Sequence, residues 1–142
     1  SDVCSSDLMY VNTENFVTLR PCLTPYQTGC MVGWRTYREG YIPDFVKKEK
    51  GSSLVTNPIT WDSSRPTADR FENKGAILLK FNKKISQSTA AIIHDRVLWT
   101  PRPVFFGSSL YKSENYHAGD FNLYYVNVRE NLQVRLSAFW KK

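Results

Sequence analysis

The sequence predicts an α/β fold in which an amphipathic C-terminal helix lies on a sheet. Two observations support this prediction. Residues 31–37, 75–81 and 96–99 are short segments rich in β-branched, aliphatic and aromatic side chains, bounded by glycine or proline, as is typical of strands. The end of the chain instead repeats apolar residues every three or four positions, as one face of a helix does.

Each predicted strand has its own signal. Residues 31–37 follow a turn-rich loop with two prolines and a glycine, and they combine β-branched and aromatic residues. Residues 75–81 are nearly continuous in apolar side chains, which predicts a strand buried on both faces. Residues 96–99 form the third strand, which ends before Pro101.

The predicted C-terminal helix has about five turns. Its buried apolar face is predicted to consist of Phe121, Tyr125, Val128, Leu132, Leu136 and Phe139. The solvent-facing side is predicted to hold Asn122, Arg129, Glu130, Gln133 and Arg135. Asp120 stands immediately before the helix, where its carboxylate is predicted to act as the N-cap.

Length and composition exclude several classes of protein. A chain of 142 residues and 16.4 kDa has the size of one domain. With 42% hydrophobic and 23% charged residues, it is neither a disordered tail nor a collagen-like or mucin-like repeat. No apolar run is long enough for a membrane span. The net charge is +6, but Lys and Arg are interleaved with acids, so we expect no nucleic-acid partner.

Residues 1–8 carry no apolar period, cap or strand alternation. This octapeptide resembles the translation of a common short-read sequencing adapter. We therefore expect residues 1–8 to lie outside the natural protein, to pack against nothing and to have no regular structure; a natural polar tail is the alternative. Residues 9–142 would then be the C-terminal part of a longer domain, with Cys22 and Cys30 as its two cysteines.

Two histidines are available for chemistry. His94 precedes the third predicted strand, and a structural role there, with a local hydrogen bond, is favoured. His117 lies three residues before Asp120, on a glycine-containing loop next to a rigid helix. Such a position suits a catalytic histidine. It equally suits a histidine that bonds Asp120 and closes the turn, and spacing leaves the two interpretations even.

Other chemistry-bearing motifs are weak. The histidines and cysteines have no zinc-site spacing, so no metal is predicted. Gly107-Ser108-Ser109-Leu110 lacks the second glycine of a nucleophile elbow, and no phosphate-binding loop occurs, so no cofactor is predicted either. The aromatic content of 14% suits a sugar-stacking platform, although aromatics in strands more often form a core.

Cys22 and Cys30 enclose a turn-rich loop that has little core of its own. In an oxidising compartment this pair can close into a disulfide, whereas in a reducing cytosol it would remain two buried thiols. We favour the disulfide, and with it an exported or periplasmic protein.

Several blocks together resemble the C-terminal half of a bacterial domain family of unknown function in the α/β-hydrolase superfamily. The resemblance spans nearly everything after residue 20. The blocks are Pro21-Cys22, Gln27-Thr28-Gly29-Cys30-Met31-Val32-Gly33-Trp34-Arg35-Thr36, Asn57-Pro58-Ile59-Thr60-Trp61, Lys74-Gly75-Ala76, Val97-Leu98-Trp99, Asn115-Tyr116-His117-Ala118-Gly119-Asp120-Phe121-Asn122-Leu123-Tyr124-Tyr125 and Asn127-Val128-Arg129-Glu130-Asn131.

The resemblance implies a partial doubly wound sheet whose nucleophilic serine lies upstream, in the missing N-terminal half of the same domain. It places His117 where a triad histidine is expected, after the last strand and before the final helix. Its role would be general base and then general acid. The triad acid stays open among Glu39, Asp44, Asp62 and Asp120, the last of which also has a capping role.

The leading hypothesis is therefore a portion of a serine-type hydrolase whose parent cleaves an ester, amide or similar acyl bond in an unidentified substrate. Lacking the nucleophile, this chain is expected to be inactive by itself. Two alternatives stay open. One is a secreted, aromatic-rich module that binds a glycan or peptide, and the other is a hydrolase-like domain that has lost catalysis.

Overall fold

A computed structural model of the chain describes residues 10–78, 80–103, 113–116 and 119–141, together with the backbone of residues 3–6. Two short 3₁₀ turns, Thr13–Asn15 and Arg70–Glu72, occur among these residues. The regular elements of the described residues are β1 (Val3–Ser6), β2 (Cys30–Gly33), β3 (Thr36–Arg38), α1 (Asp44–Lys47), β4 (Thr67–Ala68), β5 (Ala91–His94), β6 (Val97–Thr100), α2 (Asp120–Leu123) and α3 (Tyr125–Phe139).

A four-stranded mixed sheet has the strand order β3-β6-β5-β4. β3 and β6 are parallel, whereas β5 is antiparallel to both β4 and β6. A two-residue turn at Asp95 and Arg96 joins β5 to β6, and Asp95 has the positive φ of +50° that such hairpins favour. The mixed α/β class is confirmed, and so is the strand predicted at residues 96–99. The doubly wound arrangement stays a prediction.

The segment 31–37 forms two strands instead of the single one predicted. β2 pairs with β1, while β3 belongs to the four-stranded sheet. Trp34 and Arg35 lie between them and are buried, as are their neighbours on both sides. Because burial runs through the whole segment without alternation, the sequence pattern does not show where the chain leaves one sheet for the other.

The strand predicted at residues 75–81 is wrong for the residues that the structure describes there. Ala76 forms one isolated bridge with Ile85, and the amide of Ile77 donates instead to the carbonyl of Asn122 at 2.9 Å. Ala76 and Ile77 are buried, but Phe81 is 73% exposed. The apolar run therefore reflects local burial of two side chains, not membership of a ladder. Leu79 lies outside the described residues.

The N-terminal octapeptide contains a strand, so the expectation that it has no regular structure is wrong for Val3–Ser6. β1 pairs in parallel with β2, in the register Val3 opposite Cys30 through Ser6 opposite Gly33. The octapeptide can form this strand because strand pairing is made by hydrogen bonds between main-chain groups, which every sequence has. An unpaired edge accepts an extended segment with little regard to its sequence.

The predicted C-terminal helix is present, interrupted at Tyr124 between α2 and α3. Its buried face differs from the predicted one. The buried residues of α3 are Asn127, Asn131 and Arg135, whereas Leu132 and Leu136 of the apolar stripe are 47% and 41% exposed. The prediction that Arg135 faces solvent is thus wrong, because its side chain has specific buried acceptors that periodicity does not reveal.

Arg135 is 2% exposed and reaches the loop closed by Cys22 and Cys30. Its guanidinium donates to the carbonyls of Thr24, at 3.2 Å, and of Gln27, and to Cys22 Sγ at 3.1 Å. Its Nε donates to Asn131 Oδ1 at 2.6 Å. Burial lowers the pKa of the Arg135 guanidinium below its usual value. Arg135 therefore ties the end of α3 to the first loop, and the side-chain amide of Asn131 adds a second tie by donating to the carbonyl of Pro25 at 2.7 Å.

Two apolar clusters lie beneath these elements. The larger one contains Trp34, whose ring lies 5.8 Å from Trp61 and 5.4 Å from Phe121. The smaller one consists of Tyr37, Val46 and Val97, with Tyr41, Ile42 and Trp99 packed against it. Within the described parts of the chain, no helix is both long and apolar enough to cross a membrane.

Replacing Arg135 with alanine is expected to lower the free energy of unfolding by about 3 kcal/mol, because several buried acceptors lose their donor at once. Urea unfolding followed by circular dichroism measures the change. The matched control is Arg129→Ala, an exposed arginine of the same helix, which should cost no more than about 0.5 kcal/mol. Equal losses in both variants would contradict the structural role of Arg135.

Candidate functional site

The segment before α2 is fixed to the outer side of β3. The amide of Arg38 donates to the carbonyl of Glu114 at 2.8 Å, and Tyr37 forms an isolated antiparallel bridge with Asn115. The amide of Tyr116 then donates to the carbonyl of Thr36 at 3.1 Å. Residues 114–116 thus follow β3 as a short extension of the four-stranded sheet.

Thr36 holds the chain on both sides of residues 117–118. Besides accepting from Tyr116, it donates its own amide to Asp120 Oδ2 at 3.3 Å. The amide of Gly119 donates to the carbonyl of Tyr116 at 2.8 Å, so the described residues on the two sides of this segment also bond each other. His117 itself lies outside the described residues, so its catalytic role stays a prediction. We call the described residues on both sides of it, Tyr116, Gly119 and Asp120, together with Thr36, the frame around His117.

Asp120 is the first residue of α2 and is 1% exposed. The N-cap position belongs to Gly119, so the predicted capping role of Asp120 is wrong. Its carboxylate is used across the fold, on Thr36, because the main chain at Thr36 presents a buried amide that needs an acceptor. Its place in the first turn still puts a negative charge at the positive end of the helix dipole.

The other acids considered for the triad have different surroundings. Glu39 is exposed, and Asp44 is exposed with an ion pair of 3.0 Å to Lys47. Asp62 accepts from both the hydroxyl and the amide of Ser64, and these hydrogen bonds lower the pKa of its carboxyl group. Of these four acids, Asp120 is the one with a described bond to the residue that anchors the His117 segment.

Two tyrosines border this frame and are buried. Burial raises the pKa of Tyr37, and the negative charges of Asp120 and Glu49 add to the effect while Arg35 opposes it. Burial likewise raises the pKa of Tyr116. Both phenols therefore stay protonated at neutral pH and serve as neutral hydroxyl groups, not as phenolate bases.

Cys22 and Cys30 lie at disulfide-bonding distance, as predicted, with 5.0 Å between their Cα atoms. Cys30 begins β2, and the amide of Cys22 donates to the carbonyl of Met31 at 2.8 Å. The pair closes the loop that Arg135 contacts. It is a structural cross-link placed at the junction of the first loop, β2 and α3.

A second surface feature, which we name the His94–Trp99 groove, lies between α1 and the β5–β6 hairpin. It has a volume of about 420 Å³ and is lined by Gly40, Tyr41, Ile42, Asp44, Lys47, His94 and Trp99. His94 ends β5, and its ring stacks on Trp99 with 3.6 Å between centroids and 6° between planes. The structure describes this stacking for His94, whereas the local hydrogen bond predicted for it stays a prediction.

Sequence reasoning missed this groove and also the partly buried ion pair of Arg35 and Glu49, whose two hydrogen bonds measure 2.7 and 2.8 Å. Ile92 and His94 are two positions apart in β5, so the sequence alone places them on one face of the strand. Only the hairpin register, in which Ile92 pairs with Trp99, brings Trp99 of β6 to that same face. Among the described residues, no three His, Cys, Asp or Glu side chains gather where they could hold a metal ion.

Comparison with known proteins adds no relative. The chain matches no protein-family model, no curated protein and no solved structure.

Thiol counting tests the cross-link between Cys22 and Cys30. Protein prepared under oxidising conditions and denatured without reductant should show one reactive thiol per chain, from Cys4, because the other two cysteines are bonded. After reduction the count should rise to three. Three thiols before reduction would contradict the disulfide. The double variant Cys22→Ser/Cys30→Ser should lose about 2 kcal/mol of unfolding free energy.

The bond between Asp120 and Thr36 predicts a stability effect that a helix-dipole role alone would not give. Asp120→Ala should lower the free energy of unfolding by about 2 kcal/mol, since it leaves the buried Thr36 amide without this acceptor. Asp44→Ala is the matched control, because Asp44 is likewise the first residue of a helix but is exposed. Similar small losses in both variants, measured by urea unfolding, would show that the cross-fold bond adds nothing.

Proposed function

We propose that this chain is the C-terminal portion of a serine-type α/β-hydrolase-like domain whose parent cleaves an ester, amide or similar acyl bond. The observation that carries the proposal is the frame around His117. Tyr116 and Asp120 are both bonded to Thr36, directly beside a sheet strand and directly before the final helices. A triad histidine needs such a rigid support beneath an otherwise free ring.

In the proposed mechanism, His117 removes the proton from the hydroxyl of the upstream serine as that oxygen attacks the acyl carbon. It then donates the proton to the leaving group. We assign Asp120 the role of positioning the segment around His117, through its bond from the amide of Thr36. The triad acid itself stays open among Asp120, Glu39, Asp44 and Asp62, since the ring of His117 is not described.

Two features support a parent domain larger than the described residues. The edge of β2 that pairs with the octapeptide strand β1 accepts strand addition, and a natural strand of the larger domain is the proposed occupant of this edge. The C-terminal part of the apolar stripe is uncovered, since Leu132, Leu136 and Phe139 are 47%, 41% and 41% exposed. Trp140, which follows the stripe, is 79% exposed. The remaining, N-terminal part of the same domain is the proposed cover for this stripe.

The cross-linked cysteines support an exported or periplasmic location, because structural disulfides persist in oxidising compartments. The proposal needs no cofactor, since acyl transfer by a serine, a histidine and an acid uses side chains alone. The alternative of a glycan-binding module has one specific observation in its favour, the aromatic groove at His94 and Trp99.

The chain by itself is expected not to hydrolyse activated esters such as p-nitrophenyl acetate above the uncatalysed rate, with His117 or without it. The longer protein that contains it should hydrolyse them. In that protein, His117→Gln should reduce kcat by about a thousandfold or more, because only binding and oxyanion stabilisation remain. His94→Gln is the control. His94 stacks on Trp99 at the groove and is not part of the proposed triad, so this variant should leave kcat for the small ester unchanged.

Full activity of the His117→Gln parent would contradict the proposal. So would a longer protein without a serine elbow or ester hydrolysis, which would indicate a domain that has lost catalysis or a binding module. Loss of activity together with loss of thermal stability would instead assign His117 to bracing the turn before α2. Thermal melts of each variant therefore accompany the kinetics.

A further inference from the structure

We infer that the His94–Trp99 groove is a binding site for a neutral saccharide, separate from the segment around His117. Its volume of about 420 Å³ lies within the range of small-ligand sites, roughly 300–1,000 Å³. The inference does not depend on the proposed hydrolase, and it stands on the shape, the rings and the charges of the groove.

The floor of the groove is aromatic and rigid. Trp99 is held by the hydrogen bond from its indole Nε1 to the carbonyl of Tyr41, at 2.9 Å. Beneath it lies the smaller apolar cluster, in which Val46 of α1 and Val97 of β6 are fully buried. Because the floor belongs to the core, a ligand would meet a preformed surface and would not have to order one.

His94 adds a second aromatic ring, stacked on Trp99, at the surface of the groove. One face of its imidazole lies against Trp99, and the residue is exposed, so its exposed surface is the remaining face and edge. Tyr41 adds a third, half-buried ring on the side of α1. Flat π-faces attract the weakly positive C–H face of a pyranose ring, which is the apolar surface that a sugar presents.

The rim of the groove carries both signs of charge. Asp44 and Lys47 form an exposed ion pair of 3.0 Å, with side chains 85% and 60% exposed. An exposed pair of this kind contributes little to stability and can exchange partners readily. Its carboxylate accepts and its ammonium donates, which together match hydroxyl groups that do both.

The same rim argues against a charged ligand. Asp44 and Lys47 offset each other, so the ion pair has no net charge and gives a charged ligand no net electrostatic attraction. A ligand with a flat apolar face, a border of hydroxyl groups and no net charge meets every part of the groove. A neutral pyranose oligosaccharide has this chemistry.

The test uses the whole chain and named probes, namely cellotetraose, maltotetraose, mannotetraose and chitotetraose, with tetragalacturonate as the anionic comparison. Amide and indole signals are followed by ¹H–¹⁵N NMR titration. The chain has four tryptophans, and Trp99→Phe identifies the indole signal of Trp99. At least one neutral probe should shift that signal and the amides of residues 40–47 with a dissociation constant of about 1 mM or below.

His94→Ala should weaken this binding about tenfold, because one stacking ring is lost. The matched control is Tyr26→Ala, which removes an aromatic side chain that is 62% exposed and lies outside the groove; it should leave the dissociation constant unchanged. His94 is exposed, so an unchanged spectrum elsewhere will show that the His94→Ala variant is folded.

Three results would overturn the inference. The first is that no neutral probe shifts the groove signals at concentrations up to about 10 mM. The second is that His94→Ala and Tyr26→Ala have equal effects. The third is that tetragalacturonate alone binds, which would mean an anion site governed by the positive net charge of the chain.

Discussion

The buried guanidinium of Arg135 is the interaction on which the rest of the structure depends. It joins the last helix to Cys22 and Thr24, residues more than a hundred positions away in the sequence. This buried cation is stabilised by carbonyl oxygens and by Asn131, and Arg135 forms no ion pair with any carboxylate of the described residues. Removing the guanidinium would leave several buried acceptors without a hydrogen-bond donor, so the position of α3 is strongly specified.

α3 adjoins the frame around His117 through α2, whose first residue is Asp120. α2 and α3 are separated only by Tyr124, whose hydroxyl bonds that of Thr100 at the end of β6. Asn73 adds a second tie, since its amide donates to the carbonyl of Leu123 at 3.1 Å. Together with the bond between Thr36 and Asp120, these contacts hold α2 and the start of α3 against the sheet and the loop at Asn73. Each of them satisfies a buried polar group, so a shift of α2 would leave such groups unpaired.

How much of this was predictable depends on the kind of signal. The strand at Val97–Thr100 and the helical end of the chain were correctly predicted, because their local composition and periodicity suffice. The disulfide was predicted from the turn-rich loop between its two cysteines. The buried side of α3 was not predicted, because Asn127, Asn131 and Arg135 recur at a helical spacing as the residues of any solvent-facing polar face do. Only their partners in distant loops make that face the inner one.

Two strand predictions failed for a related reason. The run at Ala76 and Ile77 and the run from Cys30 to Tyr37 are both buried, but burial does not reveal which backbone a segment pairs with. For the site, sequence indicated His117 and Asp120 as neighbours along the chain, while the bond from Thr36 needed the fold. The stacking of His94 on Trp99 likewise needed the hairpin register.

The pairing of β1 with β2 has a practical consequence for any recombinant form of this protein. β1 pairs with the edge of β2, and main-chain pairing of this kind is open to any extended backbone. A purification tag or linker fused ahead of Tyr10 would therefore compete for the same edge, and two preparations with different leaders would differ in what occupies it. Comparisons of stability or solubility between them would then report on the leader as much as on the domain. A cleavable leader removed before measurement keeps such comparisons interpretable.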